Sequence, residues 1–303
     1  MPEGNEIHRW AERHGAALAG RKLRMESPNG RFPDAVALDN RKLERVLAKG
    51  KHLGYVFGRD RILHVHLGRY GDWTEGQMPL AEPKGALRLR MWPVGAKSRG
   101  GAVTPNKRHG WYSSDDGTSS LAPSDIDWLE LRGAAACELW TDAEWQALLE
   151  RLGPDALGDE PTGADDPQRA FDRILSAKTP ISVLLMDQSV LSGIGNIYRA
   201  ELLFRAGLDP FVEGREVPLA TLKAIWKDSI PLLRAGMVDR RIVTTRARHR
   251  PTKKTGQPLK EEVHYVYRRH GKPCFVCGTK IERRDIAGRT LYWCPVCQAA
   301  TPR

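Results

Sequence analysis

Two Cys-x-x-Cys pairs near the C-terminus constrain the fold of this chain more than any other feature. The pairs are Cys274–Cys277 and Cys294–Cys297, and residues 278–293 separate them. This spacing is typical of a structural zinc site with four thiolate ligands. A module this small depends on its metal for folding, and the residues between the pairs are expected to form a β-hairpin. The sequence therefore predicts one structural Zn²⁺ ion in a C-terminal module, residues 263–303.

The charge of the chain favours a polyanionic partner. Its 303 residues include 48 Lys and Arg against 37 Asp and Glu, which gives a net charge of +11. Such an excess favours nucleic acid or an anionic membrane surface. No run approaches the ~20 apolar residues that a membrane span needs, and the N-terminus lacks an apolar signal core. We therefore expect a soluble cytoplasmic protein with no membrane partner, in which the remaining cysteine, Cys137, is an ordinary buried thiol.

The N-terminus offers a nucleophile. If Met1 is removed, the chain begins with the secondary amine of Pro2, and an α-amino group titrates at about 7.7–8. Part of it is therefore unprotonated at neutral pH, and its condensation with a sugar C1′ gives a cationic iminium that makes β-elimination of a phosphate easy. Glu3 is a natural proton donor to the ring oxygen if partial burial raises its pKa. The alternative is that this Met-Pro start has no function.

The first domain, residues 1–135, is predicted to be an antiparallel β-sandwich or barrel. Apolar residues at helical spacing predict a helix over 6–18. Short β-like runs separated by turn residues follow at 53–57, 62–67 and 86–92.

Three side chains in this domain carry charge or could bind a ligand. Lys51 precedes a predicted strand, where a solvated lysine at the sheet edge is the simpler interpretation. His64 and His66 alternate along one strand and share a face. No third metal ligand is apparent beside them, so we favour a structural role for both.

The second domain, residues 140–235, is predicted to be helical. Thr141 to Glu144 form a plausible N-cap and first turn, and further helices follow over 170–178 and after Gly195. Asn196 stands at the start of that last helix, which Gly207 and Pro210 are expected to end. A helix N-terminus with a polar side chain is a ready phosphate site, whereas Asn also commonly caps its own helix.

Two basic segments and one arginine remain open to two interpretations each. Residues 95–120 are either loops that approach a polyanion or solvent-exposed turns. Residues 239–260, within a predicted linker over 236–262, are either a mobile basic linker, which we favour, or a loop that orders on DNA. Arg289, close to the second cysteine pair, either binds a DNA phosphate through two N–H groups of its guanidinium or lies in solvent.

Together these motifs resemble the formamidopyrimidine-DNA glycosylase/endonuclease VIII family. The resemblance covers nearly the whole chain and rests on four motifs in the order of the family: Pro2-Glu3-Gly4, Gly50-Lys51, the turn Gly193-Ile-Gly-Asn-Ile-Tyr198, and a zinc hairpin with Arg289. The motif Pro2-Glu3-Gly4 resembles the endonuclease VIII branch more than the formamidopyrimidine branch, whose enzymes usually have Leu after the Glu. The resemblance implies a multi-domain α+β fold with a β-sandwich, a helix-two-turn-helix domain and a zinc finger, with DNA between the two halves.

The resemblance also implies an activity, that of a bifunctional DNA glycosylase and abasic-site lyase of base excision repair. Its mechanism implies extrusion of the damaged base and attack of Pro2 on C1′. Glu3 is then the proton donor, and successive β- and δ-elimination nick the strand.

Further residues are implied to bind the DNA. Glu6 is a supporting carboxylate near the active site, and Lys51, Asn196 and Arg289 grip phosphates around the damaged nucleotide. Lys51 and Arg289 are also implied to donate protons during elimination. The implied partner is double-stranded DNA with damaged bases or abasic sites, bound by a monomer that associates with the nucleoid.

The sequence departs from the formamidopyrimidine branch in two places that bear on the substrate. After His66-Leu-Gly68, where those enzymes carry a Met that fills the space left by the extruded base, this chain has Arg69-Tyr70, so Tyr70 is a candidate wedge. The basic segment before the zinc module does not resemble the loop that covers oxidised purines. Both departures favour oxidised pyrimidines such as thymine glycol. The alternatives are an oxidised-purine glycosylase and a non-catalytic protein that binds damaged DNA.

Overall fold

The structure is a computed structural model that describes residues 2–97, 121–158, 165–252 and 258–299. This part of the chain forms two compact units. The first contains Pro2 and Ile7–Glu150, and the second contains Glu3–Glu6 and the described residues from Arg151 onwards. Most of the basic segment 95–120 lies outside the described residues, and the domain boundaries expected from the sequence remain predictions.

Two antiparallel sheets form the first unit. The first sheet contains β1 (Lys22–Glu26), β2 (Arg41–Lys42), β6 (Asp72–Gly76), β7 (Leu87–Pro93) and β8 (Trp128–Arg132), in the order β2-β1-β7-β8-β6. The second contains β3 (Arg45–Lys49), β4 (His52–Val56), β5 (Ile62–His66) and β9 (Ala136–Trp140), in the order β3-β4-β5-β9. The unit also contains most of helix α1 (Gly4–Leu18), α2 (Ala35–Leu38) and α3 (Asp142–Arg151).

One hydrophobic core joins the two sheets. In β1, Leu23 and Met25 are buried while the residues beside them are exposed, which is the alternation expected of a strand with one face in a core. These side chains share a cluster with Leu53 and Tyr55 of β4 and with Trp10 of α1. The predicted β-sandwich is therefore confirmed.

The second sheet continues past residue 135. Strand β9 pairs with β5 from Ile62–Trp140 to His66–Ala136, so the sandwich includes a strand beyond the expected end of the first domain. Cys137 on β9 is buried, as predicted, and burial raises the pKa of its thiol to about 12.

Helix α3 begins with a reciprocal cap, as the sequence predicts. The backbone N–H of Glu144 donates to the Thr141 hydroxyl at 3.2 Å, and the Thr141 N–H donates to the Glu144 carboxylate at 2.7 Å. Such a capping box satisfies N–H groups that have no partner inside the helix. These bonds lower the pKa of Glu144.

The second unit is helical, with α4 (Gln168–Leu175), α5 (Ile181–Leu184), α6 (Asn196–Arg205) and α7 (Leu219–Val238). Every residue of α6 from Ile197 to Phe204 is buried, so this helix is surrounded by protein on all sides. It ends just before Gly207, whose φ of +64° is readily adopted only by glycine. Among the described residues, no helix combines the length and apolar character that crossing a membrane requires.

The C-terminal hairpin consists of β10 (Glu282–Ile286) and β11 (Arg289–Trp293). Ile286 pairs with Arg289, so Ala287 and Gly288 form a two-residue turn, with φ values of +47° and +71°. Positive φ at both central residues matches the right-handed twist of a hairpin. The predicted zinc-module hairpin is therefore present.

The described part of the basic segment is held by hydrogen bonds. Thr244 and Thr245 are buried, and the Thr244 N–H donates to the Val263 carbonyl at 2.9 Å. The Glu262 carboxylate accepts the N–H and hydroxyl of Thr252 at 2.9 and 2.8 Å. These contacts tie the described part of the segment to Glu262 and Val263, which follow it in the chain, and the mobility of the linker stays a prediction. Residues 253–257 lie outside the described part of the chain.

Candidate active site and metal centre

The Glu3 carboxylate is bonded to the start of helix α6. Glu3 is fully buried, and its oxygens accept the backbone N–H groups of Ile197 at 2.7 Å, Gly195 at 3.0 Å and Tyr198 at 3.2 Å. The first N–H groups of a helix have no partner inside it and stabilise negative charge. These three N–H groups therefore hold the Glu3 carboxylate at the start of α6.

Glycines make this approach of the two chain segments feasible. A Cβ on Gly195 would lie 2.4 Å from the Glu3 Cδ, and a Cβ on Gly4 would lie 2.9 Å from the Gly193 Cα. The Gly4 N–H also donates to the Gly193 carbonyl at 2.8 Å. Gly193 has a φ of +86°, so the predicted tight turn before Asn196 is present and requires glycine.

Asn196 is the first residue of α6, but its side chain does not cap that helix. Its Nδ2 donates to the backbone carbonyl of Thr290 at 3.0 Å, and its Oδ1 accepts a hydrogen bond from Arg199. The Arg199 Nη2 donates to the same Thr290 carbonyl at 3.2 Å. Asn196 therefore links the start of α6 to the zinc-module hairpin.

Arg289 lies beside this link and is exposed. It is the first residue of β11 and precedes Thr290, whose hydroxyl donates to the Asp285 carboxylate across the hairpin at 2.7 Å. The second unit therefore brings together three of the residues that the sequence singled out, namely Glu3, Asn196 and Arg289.

Glu6 and Pro2 occupy different positions. Glu6 is half-buried in the second unit, and its charge, after burial and the charge of Glu3, raises the pKa of the Tyr198 hydroxyl. Glu6 therefore lies within electrostatic range of the start of α6. Pro2 is buried, belongs to the first unit and directly precedes Glu3 in the chain.

Lys51 lies in the turn between β3 and β4. Lys49 pairs with His52, so Gly50 and Lys51 are the two turn residues, and Gly50 has a φ of +58°. Lys51 is half-buried. Its charge adds to burial in lowering the pKa of His66, the last residue of β5.

The other histidines of this sheet bond to one another. His52 Nδ1 and His64 Nε2 lie 2.9 Å apart, and His64 Nδ1 lies 3.4 Å from a Glu138 carboxylate oxygen. The His64 ring stacks on Trp140 with 3.7 Å between ring centroids. These contacts give His64 hydrogen-bond and packing partners inside the sheet, in agreement with a structural role.

The four cysteines of the C-terminal module fit a single zinc ion. Their Sγ atoms all lie within 4.8 Å of one another, with 3.4 Å between Cys277 and Cys294 and 3.9 Å between Cys274 and Cys297. A tetrahedral site with Zn–S bonds of about 2.3 Å needs sulfur atoms about 3.8 Å apart. The predicted ligand set is therefore consistent with one structural zinc ion.

Two charged residues of α6 organise the site and were not singled out from the sequence. Glu201 is fully buried and accepts the N–H groups of Tyr265, Val266 and Tyr267 at 2.7–2.9 Å, as well as the Thr244 hydroxyl. Arg199, on the same helix, is the second. The local sequence gives no signal for this burial, because the segments that pack around α6 come from distant parts of the chain.

Comparison with known proteins agrees with this architecture. The profile of the formamidopyrimidine-DNA glycosylase H2TH (helix-two-turn-helix) domain matches residues 152–247, and that of the zinc finger found in FPG and IleRS matches residues 271–300. Endonuclease 8 1 of Mycobacterium tuberculosis is 39% identical over 98% of this chain and 100% of its own length. The DNA-(apurinic or apyrimidinic site) lyase Nei2 of Mycolicibacterium smegmatis is 30% identical over 99% of this chain and 100% of its own length.

A solved structure shares the whole fold. The Lactococcus lactis Fpg in complex with DNA containing an abasic site superimposes with a TM-score of 0.70 at 19% identity, over 98% of this chain and 100% of that one. A β-sandwich, a helix-two-turn-helix domain and a four-cysteine zinc finger together define the class of DNA-repair glycosylases with abasic-site lyase activity. Within that class, the chain belongs to the formamidopyrimidine-DNA glycosylase/endonuclease VIII family, on its endonuclease VIII branch.

Proposed function

We propose that this protein is a bifunctional DNA glycosylase and abasic-site lyase that removes oxidised pyrimidines from double-stranded DNA. One observation carries the proposal. The carboxylate that follows Pro2 is bonded to the first turn of α6, and Asn196 in that same turn is bonded to the residue after Arg289. The first turn of α6 therefore holds Glu3, which lies beside the proposed nucleophile. The same turn holds the two proposed phosphate ligands, Asn196 directly and Arg289 through Thr290.

The base is removed by the N-terminal amine. The Pro2 nitrogen attacks C1′ of the damaged nucleotide, and its proton passes to the Glu3 carboxylate. Glu3 returns that proton to the ring oxygen as the sugar opens, and the departing base leaves with its bonding electrons and takes up a proton. The product is a cationic iminium between Pro2 and C1′.

Strand cleavage follows from the charge of the iminium. It withdraws electrons from C2′, a C2′ proton is lost, and the 3′ phosphate leaves in a β-elimination. A second, δ-elimination releases the 5′ phosphate. Lys51, Asn196 and Arg289 bind the phosphates around the damaged nucleotide, and Lys51 and Arg289 donate protons to the leaving groups. Glu6 supports the start of α6 as a nearby carboxylate.

Tyr70 is the proposed wedge that fills the space of the extruded base. Its side chain is 76% exposed, and the Arg69 guanidinium lies 5.4 Å from the centre of its ring. An exposed aromatic ring beside a cation suits insertion into a base stack. The protein acts as a monomer on duplex DNA of the nucleoid, where damaged bases cost less to extrude than intact ones.

A cleavage panel on defined duplexes tests the proposal. We expect thymine glycol to be removed at least about 10-fold faster than 8-oxoguanine in matched sequences, because the two lesions differ in size and in hydrogen-bonding groups. The strand at a preformed abasic site should also be cut, with phosphate left at both ends of the gap. Faster removal of 8-oxoguanine would contradict the pyrimidine preference, and binding without any cleavage would favour a non-catalytic protein.

The matched variant in this panel is Tyr70→Ala. Because a wedge acts on base extrusion, its loss should slow removal of thymine glycol about 10- to 100-fold, as expected when a few kcal/mol of unstacking is no longer offset. Cleavage at an abasic site, which has no base to extrude, should change much less. Equal losses on both substrates would contradict the wedge role.

A further inference from the structure

Arg199 is a buried charge that the proposed mechanism does not use. Its side chain lies on α6 and is 1% exposed. Burial lowers the pKa of its guanidinium to about 10, and the charge of Glu3 opposes that effect. A cation kept inside a protein needs partners that compensate for its lost hydration.

The partners of Arg199 are specific. Its Nη2 donates to the Asn196 Oδ1 and to the Thr290 carbonyl, the latter at 3.2 Å, while Nη1 makes a long contact of 3.4 Å with the Ser182 carbonyl. Its Nε has no hydrogen-bond partner within the described part of the chain. The guanidinium is therefore not placed to satisfy all of its own donors, and its shortest contacts converge on Asn196 and Thr290.

Hydrogen bonds to the Thr290 carbonyl fix the backbone next to Arg289. This carbonyl accepts from both Asn196 and Arg199, and Thr290 is the residue after Arg289. Arg289 itself follows a two-residue turn in which Ala287 and Gly288 both have positive φ. The exposed Arg289 side chain therefore extends from a backbone that is fixed on its C-terminal side by α6.

We propose that Arg199 is a positioning residue for the phosphate contacts of this protein. Together with Asn196 it holds the Thr290 carbonyl, which sets where Arg289 meets a DNA phosphate. It also occupies the Asn196 Oδ1, so that the Asn196 amide presents its N–H groups rather than its oxygen. The inference rests on the proposed function, since it assumes that Arg289 binds a phosphate.

A double-mutant cycle tests this role. The variants are Arg199→Met, which keeps a long side chain without the charge, Arg289→Ala, and the two combined. Binding is measured on a duplex that contains tetrahydrofuran, an abasic-site analogue that has no C1′ leaving group. We expect each single variant to weaken binding about 10- to 100-fold, as for a lost charge-assisted hydrogen bond. The double variant should lose much less affinity than the product of the two single losses, because both changes remove the Arg289 contact.

Losses that multiply in the double variant would overturn the inference and leave the proposed function intact. An Arg289→Ala protein that binds normally would instead contradict the phosphate contact on which both depend. Arg199→Lys is the control for a folding defect. It keeps the buried positive charge but lacks the planar guanidinium that donates to Asn196 and Thr290 together. Hydrogen exchange of residues 287–291 should rise in Arg199→Lys while zinc content stays unchanged. Unchanged exchange of those residues would also overturn the inference.

Discussion

Replacing Cys294 with Ser is expected to abolish zinc binding and, with it, cleavage of damaged DNA. Cys294 is fully buried among the four sulfur atoms of the C-terminal module. Structural zinc contributes an apparent binding free energy of about 10–16 kcal/mol in small modules, and that energy is largely folding energy. Without it, the hairpin that carries Arg289 and Thr290 should unfold.

Metal analysis and cleavage of an abasic-site duplex measure this effect. Cys137→Ala is the matched control, because Cys137 is also a buried cysteine but lies on β9 of the first unit. It should retain one zinc per chain and measurable cleavage. A Cys294→Ser protein with one tightly bound zinc and normal cleavage would contradict the four-thiolate site.

Replacing Glu3 with Gln is expected to lower the rate of base removal about 10²- to 10⁴-fold, the usual contribution of a positioned proton-transfer group. The amide cannot accept the Pro2 proton. Its NH₂ group would also face backbone N–H groups at the start of α6 in place of a carboxylate oxygen. An unpaired buried donor costs about 1–3 kcal/mol, so the melting temperature should fall as well.

Glu201→Gln separates the catalytic effect from the structural one. Glu201 is likewise a fully buried carboxylate of the second unit that accepts three backbone N–H groups. Its replacement should lower the melting temperature by a similar amount. Single-turnover removal of thymine glycol, at a temperature where both variants are folded, should be far slower in Glu3→Gln. Similar rates in the two variants would mean that Glu3 acts only as a structural anchor.

The sequence predicted the local features of this protein because each depends on residues close together in the chain. The Cys-x-x-Cys knuckles, the Thr141–Glu144 cap and the Gly193–Gly195 turn are set by spacing and by backbone conformation. The β-like runs at 53–57, 62–67 and 86–92 follow from the same kind of local pattern, and β4, β5 and β7 lie within one residue of them.

The long-range contacts of the site could not be predicted from the sequence. Nothing near Asn196 indicates that its amide reaches the Thr290 carbonyl, and the spacing favoured a helix cap or a free phosphate ligand instead. Nothing near Glu3 indicates that its carboxylate accepts three backbone N–H groups from residues nearly two hundred positions away. Arg199 and Glu201 were missed for the same reason, since most of their partners lie far away in the chain, at Ser182, Thr244, 265–267 and Thr290.

Pro2 as the nucleophile is tested most directly by borohydride reduction during incubation with an abasic-site duplex, followed by digestion and mass mapping of the trapped adduct. We expect one adduct on the N-terminal peptide, at the Pro2 nitrogen, in chains that lack Met1. Chains that retain Met1 should give none, because their Pro2 nitrogen is an amide. An adduct on the Lys51 peptide, or no adduct in chains with a free Pro2, would contradict Pro2 as the nucleophile.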